Sequence, residues 1–377
     1  MLRRLAPIVA ILLLLLAACS DDSDSSSADP TTDGSAPGPD EPPGPDADMA
    51  FPGDTWATTT PAEAGLDGAP LEELATQLGG ANSSCLTVVR DGEVVVAEGW
   101  MGADPETDDE IWSATKSITS TLVGIAQQEG VLEIDEPVAT YVEEWVGTES
   151  EDVTVRNLLS NDSGRYYDFQ NDYVSMAIGA DDKTAFAIGL EQQHPVGEHW
   201  EYNNSAIQVL EQVLEEATGQ DVAKYAQERL FTPIGMTSEM THDDAGNTLA
   251  FMGAKASCHD LARFGHLFLN EGRWAGEQLV PAAWVAQATS PSQEVNPDYG
   301  FLWWLYPEGA VAVDADVPTP PPAYAALGLG GQIVLVVPDD DLVVVRMGPA
   351  SQNGGGQADL IGSMLGLGHQ AVAAGSG

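Results

Sequence analysis

The chain has 377 residues, of which 43% are hydrophobic, so a wholly disordered protein is excluded. Its 59 acidic and 13 basic residues give a formal net charge of −46 at pH 7. Such a charge excludes a nucleic-acid partner, because it repels phosphate backbones. The acid excess has two interpretations, a surface suited to high salt or a low-lysine proteome, and stability measured across salt concentrations distinguishes them.

The amino end has the pattern of an export signal. Arg3 and Arg4 precede an apolar run at residues 8–18, about half the length that a membrane-spanning helix needs. The run ends at Cys19 in Leu-Ala-Ala-Cys, which resembles the lipobox of bacterial lipoproteins. We therefore expect a signal peptide at residues 1–18 and an exported protein, anchored to the membrane of the cell envelope through lipidated Cys19. The alternative is ordinary secretion with an incidental cysteine.

The next segment, residues 19–54, consists largely of Asp, Ser, Pro, Gly and Ala and predicts a disordered acidic tether. A folded domain is expected over residues 55–377. Two β-branched runs flank Asp91-Gly92, which predicts a hairpin, and a second hairpin pattern surrounds Pro338. Residues from about 117 to 290 have mostly helical spacing. Together these patterns predict an α/β fold whose antiparallel sheet comes from both chain ends, with a mostly helical insertion.

Two further cysteines, Cys85 and Cys258, lie within the predicted domain. In an exported protein they can form a disulfide. The alternative, two separate small buried residues, stays open because the sequence does not report the distance between them.

The strongest candidate for chemistry is Ser113-Ala-Thr-Lys116. Apolar residues continue at helical spacing as far as Gly130, so Ser113 and Lys116 are expected on one face of a helix near its start. A serine needs a base to become a nucleophile, and a lysine whose pKa is lowered by burial can be that base. The alternative is a serine near a helix start with a surface lysine.

Several stretches, taken in order, resemble the serine β-lactamase and penicillin-binding-protein superfamily. The resemblance covers roughly residues 60–365 and is strongest to its class C-like branch of esterases and 6-aminohexanoate-dimer-hydrolase-type enzymes. It implies a β-lactamase/transpeptidase-like fold, a serine hydrolase and no cofactor or metal. The stretches that carry it are 111–130, 132–137, 153–164, 195–204, 233–236 and 260–265.

The resemblance also implies roles for individual residues. Tyr202, in a Tyr-x-Asn motif, is expected to exist partly as phenolate and to shuttle a proton between Ser113 and the leaving group. Asn204 is expected to fix Lys116 and bind a substrate amide. In the Gly-x-Gly-Gly-Gln segment at 328–332, the backbone N–H of Leu329 is expected to join that of Ser113 in an oxyanion hole. The flanking Gly328 and Gly330 are expected to let the backbone approach the substrate.

This segment departs from the superfamily pattern, because residues 326–332 contain no lysine. Without a cation there, a substrate carboxylate loses its partner. We therefore expect cleavage of a neutral ester or amide through an acyl-enzyme. The alternatives are a D-amino-acid peptidase or weak β-lactamase acting on cell-wall fragments, a penicillin-binding or sensor module that acylates without turnover, and a purely structural lipoprotein. Slow deacylation, with a stable Ser113 adduct, would indicate the sensor.

Other candidates are weaker. Trp303 and Trp304 alternate faces on a predicted strand, so one is expected in the core and the other at the site. His194, His199 and His259 match no metal-ligand spacing. Neither a Gly-x-Ser-x-Gly elbow nor a His-Glu-x-x-His motif is present. Loop residues after Gly164 are candidates either for lining the pocket or for anchoring their own loop: Tyr166, Tyr167, Asp168, Asp172 and Tyr173.

Overall fold

The computed structural model describes residues 50–311, 318–349 and 356–375. The predicted signal peptide at residues 1–18 and the predicted lipidation site Cys19 lie outside the described residues. Within those residues, no helix is both long and apolar enough to cross a membrane.

The folded domain includes residues that the composition assigned to the tether. The Phe51 ring packs 5.3 Å, between centroids, from the rings of His266 and Trp274. Arg263 donates a hydrogen bond to the carbonyl oxygen of Gly53 at 2.8 Å. Residues 50–54 are therefore part of the domain, because a single aromatic side chain and backbone carbonyls anchor a segment whose composition is otherwise that of a linker.

The centre of the domain is a six-stranded antiparallel sheet. The strands of the domain are β1 (Cys85–Arg90), β2 (Glu93–Gly99), β3 (Asp109–Glu110), β4 (Glu239–Met240), β5 (Ala254–Ala256), β6 (Arg273–Trp274), β7 (Glu277–Gln278), β8 (Trp304–Tyr306), β9 (Ala323–Gly328), β10 (Gln332–Val337) and β11 (Leu342–Met347). The order of strands in the sheet is β2-β1-β11-β10-β9-β8. Its first two strands in chain order and its other four come from opposite ends of the chain, which confirms the predicted origin of the sheet. Asp91 and Gly92, at φ 51° and 75°, form the tight turn between β1 and β2 that their sequence predicts.

Helices cover both faces of this sheet, since its central strands are buried on both sides. The helices are α1 (Gly68–Gly80), α2 (Thr115–Gln128), α3 (Val155–Ser160), α4 (Lys183–Ile188), α5 (Asn204–Thr218), α6 (Val222–Ala226), α7 (Thr232–Ile234), α8 (Cys258–Leu269), α9 (Ala282–Ala288) and α10 (Gln357–Gly375). Two π-helical segments, Gln170–Gly179 and Gln227–Phe231, and short 3-10 turns lie between them.

The two faces of the sheet have separate apolar cores. On one face, Leu71, Leu74 and Leu78 of α1 pack with Ile361 and Met364 of α10. The other face is covered by α8 and α2, and the candidate nucleophile Ser113 lies in the turn immediately before α2.

α8 lies very close to this second face. A Cβ added at Gly265 would come within 2.5 Å of Val343 Cγ1, so a glycine is required for the contact. A disulfide joins Cys85 at the start of β1 to Cys258 in the first turn of α8, with 6.4 Å between their Cα atoms.

Candidate active site

Ser113 lies in the 3-10 turn Trp112–Ala114, immediately before α2. The backbone turns sharply here, because Trp112 adopts φ 50°, a left-handed conformation that is rare for a bulky residue and typical of functional sites. The chain before the turn is held by a hydrogen bond from the Ile111 N–H to the Ala254 carbonyl at 3.1 Å. Ser113 remains partly exposed while Ala114 is buried, so its hydroxyl faces an accessible site.

Lys116 is one helical turn later and points back at the serine. Its Nζ is 2.8 Å from Ser113 Oγ and 2.8 Å from the carbonyl oxygen of Phe251. The side chain is 1% exposed. Burial lowers the pKa of Lys116 from 10.5 to about 7, although the charge of Asp172 acts in the opposite direction.

The two contacts of Lys116 suit a base. At neutral pH a large share of the protein carries an uncharged amine. That amine can donate one hydrogen to the Phe251 carbonyl and direct its lone pair at the hydroxyl of Ser113. Sequence analysis missed the Phe251 carbonyl, because a backbone acceptor leaves no mark in the sequence.

Tyr202 completes the group around the serine. Lys116 Nζ lies 4.9 Å from the centre of the Tyr202 ring. Burial raises the pKa of Tyr202 well above its usual value, and a hydrogen bond with Ser113 lowers it only in part. The hydroxyl is therefore protonated at neutral pH, which differs from the partial phenolate expected from the sequence. It is placed to donate a proton.

Asn204 was expected to hold Lys116, but its hydrogen bonds go to a different residue. It is the first residue of α5, it is 2% exposed, and its Nδ2 donates to Asp172 Oδ2 at 2.7 Å. The structure thus places Asn204 behind the site, where it joins the helix carrying the motif to the π-helical segment Gln170–Gly179.

The glycine-rich segment forms the turn between β9 and β10. Gly328 pairs with Gln332, and Leu329, Gly330 and Gly331 make the turn between them. A Cβ added at Gly328 would lie 2.1 Å from the Ile111 carbonyl oxygen.

Only a glycine at 328 therefore lets this turn lie against the chain that leads into Ser113, and it places the backbone of Leu329 beside the serine turn. Gly328 is buried beneath that chain, whereas Gly330, at φ 86°, is partly exposed.

Aromatic side chains form one wall of the site. Trp304 is partly exposed and stacks on Tyr202, with ring centroids 5.7 Å apart. Trp303 is fully buried between Phe264 and Phe268. The two tryptophans therefore divide between core and site as their alternation predicts.

The remaining candidates hold loops together. Tyr166 donates to Asp168 at 2.5 Å, and the rings of His194 and His199 lie 4.2 Å apart. Across residues 50–311, 318–349 and 356–375, no cluster of three or more His, Cys, Asp or Glu side chains is suited to a metal ion. His259 has a salt-bridge distance of 3.6 Å to Glu106, outside the serine site.

Comparison with known proteins places this arrangement in a family. The Beta-lactamase family model matches residues 71–360. The 6-aminohexanoate-dimer hydrolase of Paenarthrobacter ureafaciens is 26% identical over 305 residues, which are 74% of this chain and 75% of that protein. The solved octameric penicillin-binding protein homologue from Pyrococcus abyssi has the same fold, with a TM-score of 0.62 at 20% identity over 82% of this chain and 77% of its own.

A beta-lactamase/D-alanine carboxypeptidase from Pseudomonas syringae likewise shares the fold, with a TM-score of 0.62 at 18% identity over 80% of this chain and 98% of its own. The family model spans most of the chain, well beyond the serine turn and its neighbouring helix. This protein therefore belongs to the beta-lactamase family of serine hydrolases.

Proposed function

We propose that the protein hydrolyses a neutral ester or amide through an acyl-enzyme on Ser113. The observation that carries the proposal is the 2.8 Å contact between Ser113 Oγ and a buried Lys116 whose pKa is about 7. A lysine on the surface would be protonated at neutral pH and unable to accept the serine proton. This one is poised near the pH at which general-base catalysis is most effective.

Acylation begins when Ser113 Oγ attacks the substrate carbonyl while its proton passes to Lys116 Nζ. The tetrahedral oxyanion is bound by the backbone N–H groups of Ser113 and Leu329, each worth about 3 kcal/mol in comparable sites. Tyr202 then protonates the departing alcohol or amine and is reprotonated from Lys116. The carbon–oxygen or carbon–nitrogen bond breaks, and the acyl group stays on Ser113.

Deacylation reverses these roles. A water molecule attacks the acyl carbonyl and gives one proton to Lys116. Collapse of the second tetrahedral intermediate breaks the ester bond to Ser113, whose oxygen recovers that proton. The acid product leaves and the free serine is restored, so the cycle consumes one water and needs no further reactant.

The substrate class follows from charge. The turn at residues 326–332 has no lysine or arginine of its own. Arg346 donates to the carbonyls of Gly330 and Gly331, but it is 1% exposed, so a substrate carboxylate finds no accessible cation at this turn. The net charge of −46 further repels anions. The partly exposed Trp304 beside Tyr202 favours apolar groups. An amide substrate also agrees with the name of the Paenarthrobacter relative.

Hydrolysis assays test this function directly. Wild type is expected to hydrolyse 4-nitrophenyl butyrate and a matching butyryl anilide, whereas Ser113→Ala loses the activity. Ser120→Ala is the matched control, because Ser120 is buried on α2, which follows Ser113 directly, and its hydroxyl has no hydrogen-bond partner among the described residues. Failure to cleave any neutral ester or amide, or turnover of a β-lactam at the rate of a dedicated lactamase, contradicts the proposal.

We also propose that the enzyme is held on the outer side of a membrane by lipidated Cys19. The Leu-Ala-Ala-Cys19 pattern after an apolar run supports this. The protein expressed with its own amino end is expected in the membrane fraction, and Cys19→Ser in the soluble fraction. Ser20→Ala is the control and keeps the protein on the membrane. Equal fractionation of Cys19→Ser and wild type contradicts the anchor.

A further inference from the structure

Asp172 has an unusually complete set of hydrogen bonds for a buried carboxyl group. It lies in the π-helical segment Gln170–Gly179 and is 1% exposed. Its Oδ2 accepts from Asn204 Nδ2 at 2.7 Å and from the Asn204 backbone N–H at 3.3 Å. Its Oδ1 accepts from the Ser205 backbone N–H and from Ser205 Oγ, both at 2.7 Å.

These partners favour a carboxylate. Two are backbone N–H groups and a third is a side-chain amide nitrogen, all of which only donate. They also form the first turn of α5, where the positive end of the helix dipole attracts an anion. Burial raises the pKa of Asp172, and the four hydrogen bonds act against that rise. The buried carboxyl group of Asp172 is thus fastened to the start of α5.

The start of α5 is where Tyr202 is held. Tyr202 precedes Asn203, which caps the helix by accepting a hydrogen bond from the Ala206 N–H at 2.8 Å. Asn203 Nδ2 donates in turn to the carbonyl oxygens of Arg165 and Tyr166, each at 3.2 Å. The backbone on both sides of the Tyr202–Asn203 pair is therefore fixed, by Asp172 on the helix side and by this loop on the other.

Asp172 also acts on Lys116 through its charge. It is the charged group that opposes the effect of burial on the pKa of Lys116. Burial raises the pKa values of three tyrosines near Asp172, namely Tyr167, Tyr173 and Tyr202, and the charge of Asp172 adds to the rise. Burial and Asp172 also raise the pKa of Glu201. The titratable groups facing Asp172 are Lys116, Tyr167, Tyr173, Glu201 and Tyr202.

We propose that Asp172 is a positioning residue for acyl transfer: its carboxylate fastens the first turn of α5 beside Tyr202 and supplies a buried negative charge that acts on Lys116. The inference rests on the proposed function, since it concerns the same reaction. Asp172 itself is buried and touches no substrate. It acts through Lys116 and Tyr202.

The test is the pH dependence of Ser113 labelling by a fluorophosphonate, measured as a second-order rate constant from pH 5 to 9. In wild type the rate rises as Lys116 loses its proton. Asp172→Asn removes the charge, so the pKa of Lys116 is expected to fall. The rising, acidic side of the pH–rate profile (the acid limb) then moves to lower pH by about one unit, as expected for the loss of a nearby opposite charge. The plateau is expected to fall about 10-fold, because a less basic amine and a loosened Tyr202 catalyse less well.

Two controls make the result specific. Asp260→Asn removes another buried, hydrogen-bonded carboxylate, one that accepts from Thr237 and Ser238, and it is expected to leave the limb in place. Glu201→Gln removes the other carboxyl group next to Asp172, and it too is expected to leave the limb in place, because Glu201 does not act on Lys116.

The outcomes separate the two proposals. If wild type is not labelled at any pH, the proposed function fails. If wild type is labelled but the acid limb of folded Asp172→Asn does not move, the role of Asp172 is contradicted. A limb that moves to higher pH, as hydration of Lys116 would produce, contradicts it as well. Should Asp172→Asn not fold, Ser205→Ala decides: it keeps the carboxylate and removes one donor, and a labelling rate equal to wild type contradicts the positioning role.

Discussion

Replacing Lys116 with methionine is expected to stabilise the fold while abolishing hydrolysis. The lysine is 1% exposed and its pKa is lowered from 10.5 to about 7 because burial disfavours its charge. In the unfolded chain the same side chain keeps its proton up to about pH 10.5. Folding at neutral pH must therefore either remove that proton or bury the charge, and both oppose folding. Methionine has a similar unbranched shape and no charge.

The magnitude follows from the two pKa values. At pH 7 the difference between 10.5 and about 7 corresponds to about 4 kcal/mol of lost stability. Lys116→Met recovers about 4 kcal/mol of stability, the full cost of burying the lysine. It also loses the contacts to Ser113 Oγ and to the Phe251 carbonyl, and leaves that carbonyl without a partner, which together cost about 2–3 kcal/mol. The net gain is about 1–2 kcal/mol, or a few degrees in Tm for a domain of this size.

The sign of the pH dependence is the sharper test. Because the folded-state pKa lies below the unfolded one, the destabilisation by Lys116 is complete below pH 7 and disappears as the pH rises towards 10.5. Thermal unfolding of wild type and Lys116→Met at pH 6, 7.5, 9 and 10 is expected to show the advantage of the variant shrinking and then reversing. A difference in Tm that is independent of pH refutes the assignment of a lowered pKa to Lys116.

Three further predictions concern the turn, the tyrosine and the disulfide. Gly328→Ala puts a Cβ 2.1 Å from a backbone carbonyl oxygen and is expected to reduce hydrolysis at least about 10-fold. The control Gly80→Ala, which has open space around the added Cβ, is expected to keep wild-type kinetics, and equal activities of the two variants contradict the close approach. Tyr202→Phe removes the proton donor, and kcat for an amide is expected to fall about 10²-fold or more; an unchanged kcat excludes that role. Replacing both Cys85 and Cys258 with alanine removes a cross-link between residues 173 positions apart. The free energy of unfolding, measured with urea, is expected to fall by about 2–5 kcal/mol, and an unchanged urea midpoint contradicts this.

Local patterns predicted much of this molecule correctly. The Asp91-Gly92 turn was predictable because two residues with positive φ join strands that pair directly. Ser113 and Lys116 were predictable as neighbours because helical spacing places residues i and i+3 on one face. In both cases the determining interaction lies within a few residues of chain.

The parts that sequence analysis missed depend on distant contacts. The Phe251 carbonyl that receives Lys116 is 135 residues away and is a backbone atom without a sequence signature. Asn204 was expected on Lys116, but it pairs with Asp172, 32 residues earlier, in a π-helical segment whose geometry no periodicity reveals. The protonated state of Tyr202 depends on its burial, which a sequence does not report.

The most direct test of the account is the intact mass of the protein after exposure to a fluorophosphonate. The reagent loses fluoride as it bonds to an activated serine oxygen, so one added phosphonyl group is expected on wild type and none on Ser113→Ala. Ser120→Ala, on the helix that follows Ser113, is expected to gain the group as wild type does. Folded wild type that gains no mass, or Ser113→Ala that gains the same mass, contradicts an activated nucleophile at Ser113.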